Sequence, residues 1–148
     1  MNYPNSRSAL YKETSMVTAS PTKLVVMLYE GAIRFLTRAA TDIRNNDLVS
    51  KSQSISRAVA IIQHLRNTLD LEKGEYIARD LDRLYAYTLS RVLDGSTKLD
   101  AAAIEEAIKV LSNLLPAWEE IAKKDQEQYV PPALLASQAA TGGFRLQG

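Results

Sequence analysis

Apolar residues return every three to four positions through most of the chain, the period of helices buried along one side. From Pro21 to about Arg44 the stripe is Leu24, Leu28, Gly31, Phe35 and Ala39, widened by Val25, Ala32, Leu36 and Ile43, with Lys23, Glu30, Arg34 and Thr41 opposite. A second stripe follows through Ile55, Val59, Ile62, Leu65 and Leu69, supported by Ala58 and Ile61. A third runs through Ile77, Leu81, Leu84, Tyr85, Thr88 and Val92, with Tyr29 and Tyr85 expected at the edge of the core. The fourth, Ile104, Ile108, Leu111, Leu115, Trp118 and Ala122, keeps to one face with almost no drift. Ser20-Pro21 predicts the first helix start, because a serine hydroxyl caps free amides and proline fits the first turn. Asn45-Asn46-Asp47, Gly74 and Asp94-Gly95-Ser96-Thr97 separate the stripes, and Asp100 is placed to cap the fourth helix. Connections this short force neighbouring helices to run antiparallel. The predicted fold is all-α, an antiparallel up-down-up-down four-helix bundle.

Two ends fall outside that pattern. Residues 1–17 are mixed in character and predict a flexible N-terminal segment, residues 18–126 the bundle, and residues 127–148 a disordered C-terminal tail, marked by Pro131-Pro132 and Gly142-Gly143. With 148 residues, 46% hydrophobic and 24% charged, the composition suits one helical globular domain. Net charge is only +1 and the basic residues are interleaved with acidic ones, so nucleic acid is not an expected partner. The amino terminus lacks the continuous apolar core of a signal peptide, and no segment approaches the ~20 apolar residues that span a bilayer. A cytoplasmic protein without membrane insertion is expected.

The same inventory offers little to catalysis. There is no cysteine, which removes disulfides, thiolate metal sites and cysteine nucleophiles together. A carboxylate-bridged metal centre in a helix bundle needs two Glu-x-x-His pairs, and the chain holds one histidine, His64, on the polar side of the second helix. Glu105-Glu106, Glu119-Glu120 and Asp80 with Asp82 are too close along a helix to flank one bond. No glycine-rich phosphate loop or G-x-S-x-G elbow occurs. No enzyme activity, metal or cofactor is expected.

What the chain has in excess is apolar surface. Val110, Leu114 and Ile121 form a second line beside the main stripe of the fourth helix, the two together covering about half its circumference at ~100° per residue. A rotated helix or a docked terminus buries that line; otherwise it remains for a partner or for a second copy of the chain, so both a monomer and a weak homodimer stay open. Pro116 removes the bond to the Ser112 carbonyl and predicts a bend beside Trp118. Tyr11 precedes the bundle, so its ring has no core position and is free to cap a groove.

Several of these residues occur in an order with a precedent. Tyr11, Met16, Thr18-Ala19-Ser20-Pro21, Leu24 and Met27-Leu28-Tyr29 with Gly31 open the series, Leu69-Asp70-Leu71-Glu72-Lys73-Gly74, Ile77-Ala78, Leu81 and Leu84-Tyr85-Ala86-Tyr87 with Arg91 continue it, and Ala117-Trp118-Glu119-Glu120-Ile121 closes it. Over roughly Tyr11 to Lys124 the chain resembles the flagellar secretion chaperone family FliS. The resemblance implies a bacterial cytoplasmic export chaperone that binds the disordered C-terminal segment of flagellin, prevents premature polymerisation and assists delivery to the flagellar type III secretion apparatus. The flagellar export gate is the second partner it implies. Client recognition of this kind is an amphipathic segment folding along an apolar groove. Val110, Leu114 and Ile121 are then the expected client contacts, with Met27 beside them and with Tyr11 and Met16 covering the groove in the free protein. Two departures from the family pattern are Pro116 in place of a helix former and Glu75 where a second glycine often follows Gly74.

Overall fold

The computed structural model describes residues 19–135. They form four long helices, α1 (Pro21–Arg44), α2 (Leu48–Asn67), α3 (Glu75–Lys98) and α4 (Ala101–Gln128), with no strand among the described residues. Residues 25–117 make one compact unit, which contains α2, α3 and most of α1 and α4; residues 19–24 and 118–135 belong to a second.

In the larger unit the cross-helix contacts fix the topology. Gly31 faces Ile61, the Arg57 guanidinium lies 5.6 Å from the centre of the Phe35 ring, and Ser50 Oγ donates to Asp42 at 2.6 Å. All three pairs are equidistant from Asn46 in the turn, as two antiparallel helices folded at that residue require. Arg66 Nε to Asp82 at 2.7 Å and Lys51 Nζ to the Ser96 carbonyl at 3.2 Å pair α2 with α3 in the same sense. Arg91 with Glu106 pairs α3 with α4, and Arg44 with Glu105 returns α4 to α1. The sequence is therefore an up-down-up-down bundle in which α1 and α3 are diagonal.

Each turn is specified locally. Asp47 caps α2 by accepting from the Ser50 amide at 3.2 Å, and Asp100 caps α4 through the Ala102 amide at 3.0 Å. Between α2 and α3, Asp70 Oδ1 accepts from the amides of Glu72 and Lys73, and a Cβ added to Gly74 would lie 2.4 Å from that of Ala78. A non-glycine residue with positive φ stands in or at the edge of each connection: Asn46 at φ 57°, Glu75, the first residue of α3, at φ 48°, and Leu99 at φ 53°.

The core is built from small and large residues in alternation. Tyr29, Leu36, Ile62, Tyr85, Val92, Ile104 and Leu111 are fully buried, and Ala32, Ala39, Ala58 and Ala107 between them let the helices approach. This corrects the expected core in three places. The buried face of α1 centres on Val26, Tyr29, Ala32 and Leu36, whereas Leu24, Leu28 and Phe35 are half-buried at its margin. Tyr29 and Tyr85 are not at the edge: their rings meet edge-on at the centre, 6.2 Å apart, with the two hydroxyls hydrogen-bonded at 2.5 Å. On α3, Ile77 and Leu84 lie outside the core, which takes Ala78 and Leu89 instead.

Gly95 is a further difference. The Asp-Gly-Ser-Thr run reads as a helix terminator, yet α3 continues through it to Lys98. A Cβ at Gly95 would stand 2.6 Å from Ile104 Cδ1 and 2.9 Å from the Asp100 carbonyl oxygen, so the glycine lets α4 start close against α3. The turn itself is made at Leu99, with the Asp100 amide donating back to the Gly95 carbonyl at 2.9 Å.

In the smaller unit, Ser20 is nearly inaccessible and its hydroxyl accepts from the Lys23 amide at 3.2 Å, the N-cap expected of Ser20-Pro21. The Ser20 amide donates to Gln126 Oε1 at 2.8 Å and Thr22 Oγ1 to Asp125 at 2.9 Å, which joins the start of α1 to the end of α4. Ala19, Ala122 and Pro131 are buried here, and a helical turn follows at residues 132–135. Pro116 stands inside α4, whose helical assignment is unbroken at that position.

Candidate functional site: an apolar groove between α3 and α4

No group of three or more His, Asp or Glu side chains able to hold a metal occurs among the described residues. His64 is exposed on α2, as its place on the polar side predicts. No helix among the described residues is long and apolar enough to cross a membrane. The feature that stands out is uncovered apolar surface.

Its location follows from the contacts between α3 and α4. Glu106 accepts from Arg91 Nε at 2.8 Å and from the Tyr87 hydroxyl at 3.4 Å, which defines the side that each helix turns to the other. The carboxylate also pushes the Arg91 guanidinium further into its charged form. On α3, Leu84 and Ile77 precede Arg91 by seven and fourteen residues and so share its side. On α4, Val110 and Leu114 follow Glu106 by four and eight residues and share that side. Because the helices are antiparallel, both series leave the ion pair in the same direction. Helical spacing thus puts Leu84 and Ile77 on one side, and Val110 and Leu114 on the other, of an apolar groove that runs along the α3–α4 seam away from Arg91 and Glu106.

The walls are exposed to different degrees. Ile77 is 74% exposed and Leu84 36%, while Val110 and Leu114 are half-buried. An aliphatic side chain left in water forgoes roughly 1.5 to 3 kcal/mol relative to full burial. A segment covering these four recovers several kcal/mol, which is on the scale of specific peptide binding once ordering costs are met.

The expected contact residues divide on this geometry. Val110 and Leu114 fall in the groove. Ile121, on the continuation of α4 in the smaller unit, is 47% exposed. Met27 is half-buried one turn before Gly31, on the flank of α1 that faces α2, and so lies away from the groove. Tyr11 and Met16 lie outside the described residues. Sequence reasoning missed Ile77 and Leu84, which it assigned to the core. The signal available was their heptad spacing with Arg91, a residue that has to reach solvent or a surface partner.

The family model "Flagellar protein FliS" matches residues 3–125 of the chain. Among curated proteins, the flagellar secretion chaperone FliS of Salmonella typhimurium is 41% identical over 113 residues, covering 76% of this chain and 84% of that protein. The Campylobacter jejuni protein of the same name is 38% identical over 111 residues, covering 75% and 87%. That of Bacillus subtilis is 27% identical over 117 residues, covering 79% and 86%. The groove lies wholly within the matched region.

Proposed function

The chain belongs to the FliS family of flagellar secretion chaperones, which are not enzymes, and from that premise we propose that it holds the disordered C-terminal segment of flagellin in the α3–α4 groove. The observation that carries this reading is the apolar surface of Ile77, Leu84, Val110 and Leu114, none of which is among the fully buried core residues. An amphipathic segment with anchors at helical spacing fits such a groove, folding as it binds. Covering that segment in the bacterial cytoplasm prevents premature polymerisation, and the loaded chaperone presents it to the flagellar type III apparatus, with the export gate as the receiving partner. Ile121, exposed in the smaller unit, is a further client contact in this reading. Tyr11 and Met16 compete with the client for the groove, and Met27 contributes less than either wall.

Calorimetry of the full chain with a C-terminal flagellin peptide tests this. A one-to-one complex with a gain in helicity is expected. Leu84→Asp and Leu114→Asp should each weaken it at least tenfold with the circular dichroism of the free protein unchanged. Absence of heat with the unmodified chain, or undiminished binding by both variants, overturns the assignment.

A further inference from the structure

With α1 and α3 diagonal, the seam between α1 and α2 lies across the larger unit from the α3–α4 groove, and it carries a different chemistry. The 20 residues of α2 include Lys51, Arg57 and Arg66 and no Asp or Glu, and α1 has no acid between Glu30 and Asp42. Gly31 and Asp42 both meet α2, through Ile61 and Ser50. Arg38 follows the first by seven residues and precedes the second by four, so it shares that side of α1. Arg34, one turn before Arg38, reaches back along the seam: its Nη2 is 3.7 Å from the point where a Gly31 Cβ would stand, and Ile61 Cδ1 is 3.4 Å from the same point. Arg57 comes from α2, with its guanidinium 5.6 Å from the centre of the Phe35 ring. All three arginines are exposed.

Arg44, Arg66, Arg83 and Arg91 each pair with a carboxylate, whereas Arg34, Arg38 and Arg57 have none among the described residues. Asp42, buried at the end of the seam, accepts from Ser50 instead. Like charges gathered without a counter-charge repel one another, and an anion from outside relieves that repulsion. We propose that this seam receives an acidic helix of another protein, with carboxylates one turn apart. Arg34 and Arg38 stand about 6 Å apart along α1, the rise of four residues, which is also the spacing of side chains at i and i+4 on the incoming helix. Stacking on Phe35 holds the Arg57 guanidinium in place while its planar fork of donors remains for a carboxylate. A lipid surface fits less well, because stable attachment takes an apolar anchor beside the basic patch, and Phe35 is half-buried with Arg57 over its ring. The groove lies on the far side, so an acidic helix can dock whether the groove is empty or filled.

The probe is a fluorescein-labelled, alanine-based helical peptide with glutamate at every fourth position, and fluorescence anisotropy with the full chain reads its binding. A few exposed charge pairs bind weakly, so a dissociation constant of roughly 0.1 to 1 mM is expected at low salt. Affinity should fall severalfold between about 10 mM and about 150 mM salt, where the Debye length contracts from about 30 Å to about 8 Å. The double variant R34E/R38E should weaken binding at least tenfold with the circular dichroism of the free chain unchanged. K98E/K109E alters net charge equally at two exposed lysines off the seam, and should leave binding within about twofold. The same peptide with glutamine for glutamate should not bind. Equal binding of the glutamine peptide, indifference to R34E/R38E, or equal losses from the two double variants overturns the proposal. So does absence of binding to the acidic peptide, with or without binding to phosphatidylglycerol vesicles; vesicle binding lost in R34E/R38E would assign the seam to a lipid surface.

Discussion

Tyr85 and Tyr76 lie nine residues apart on α3, half a revolution, and show how one residue type serves opposite sides of a helix. Tyr85 is 1% exposed, with its hydroxyl bonded to that of Tyr29 across the diagonal of the bundle. Tyr76 has three-quarters of its surface in water. The inward ring meets the Tyr29 ring edge-on and its polar tip is satisfied by that phenol, so burial carries no unpaired group. The outward ring gains nothing from the fold. Stability should therefore reside on the inward side of α3 and recognition on the other sides.

The sharpest test removes each ring. Tyr85→Ala should cost about 3 to 5 kcal/mol of unfolding free energy, the usual loss for a large aromatic deleted from a core. Tyr76→Ala should stay within about 0.5 kcal/mol. Urea denaturation of the two variants measures both, and comparable losses would break the comparison.

A smaller change isolates the hydroxyl pair. Tyr85→Phe keeps the ring and removes one hydrogen-bonding group, for an expected loss of about 1 to 2 kcal/mol. It also bears on alkaline stability. Burial first, and then the bond to Tyr29, push the Tyr85 phenol above its ordinary value of 10.0. The unfolded chain thus releases this proton before the folded one does. Stability from this group is intact below about pH 10 and declines above it, with a slope approaching ~1.4 kcal/mol per pH unit. Denaturation midpoints between pH 9 and 11 should fall less steeply for Tyr85→Phe than for the unmodified chain.

Gly95 occupies the inward side one turn from the end of α3, and Gly95→Ala weighs two opposed effects. Alanine improves helix propensity by about 1 kcal/mol, whereas a methyl forced against Ile104 and the Asp100 carbonyl costs about 1 to 3. The backbone oxygen cannot swing aside as a side chain can, so the clash should win, with a net loss near 1 kcal/mol in thermal or urea unfolding. A gain in stability would mean that the α3–α4 turn yields more readily than its close contact suggests.

The helices themselves were legible because the hydrophobic period and the caps at Ser20 and Asp100 act locally. The rest was hidden for physical reasons that differ from residue to residue. Periodicity says that Ile77 and Leu84 lie on an apolar side but not whether that side is the core or the wall of a groove beside it. Val110 and Leu114 were separable from the main stripe only because α4 carries two lines at once. Tyr29, amphipathic by nature, is indistinguishable in sequence from a residue at the core margin; its burial depends on Tyr85 arriving from a helix more than fifty residues away. At Gly95 the local turn signal was overridden by the close approach of α4, which no short window of sequence contains.

The outward end of α3 offers the mildest test. Glu75 opens the helix at φ 48°, a backbone region costing a non-glycine residue about 1 kcal/mol or more. Its carboxylate, however, is the one acidic group in the first turn and favours the helix dipole by roughly 0.3 to 1 kcal/mol. Glu75→Gln removes the charge and keeps the backbone, so it should lower stability by a few tenths of a kcal/mol. Glu75→Gly relieves the strain as well, at the expense of about 0.5 to 1 kcal/mol of added freedom in the unfolded chain. The glycine variant should consequently be more stable than the glutamine one, and within about 0.5 kcal/mol of the unmodified protein. If glycine instead falls below glutamine, the left-handed backbone at Glu75 carries no strain.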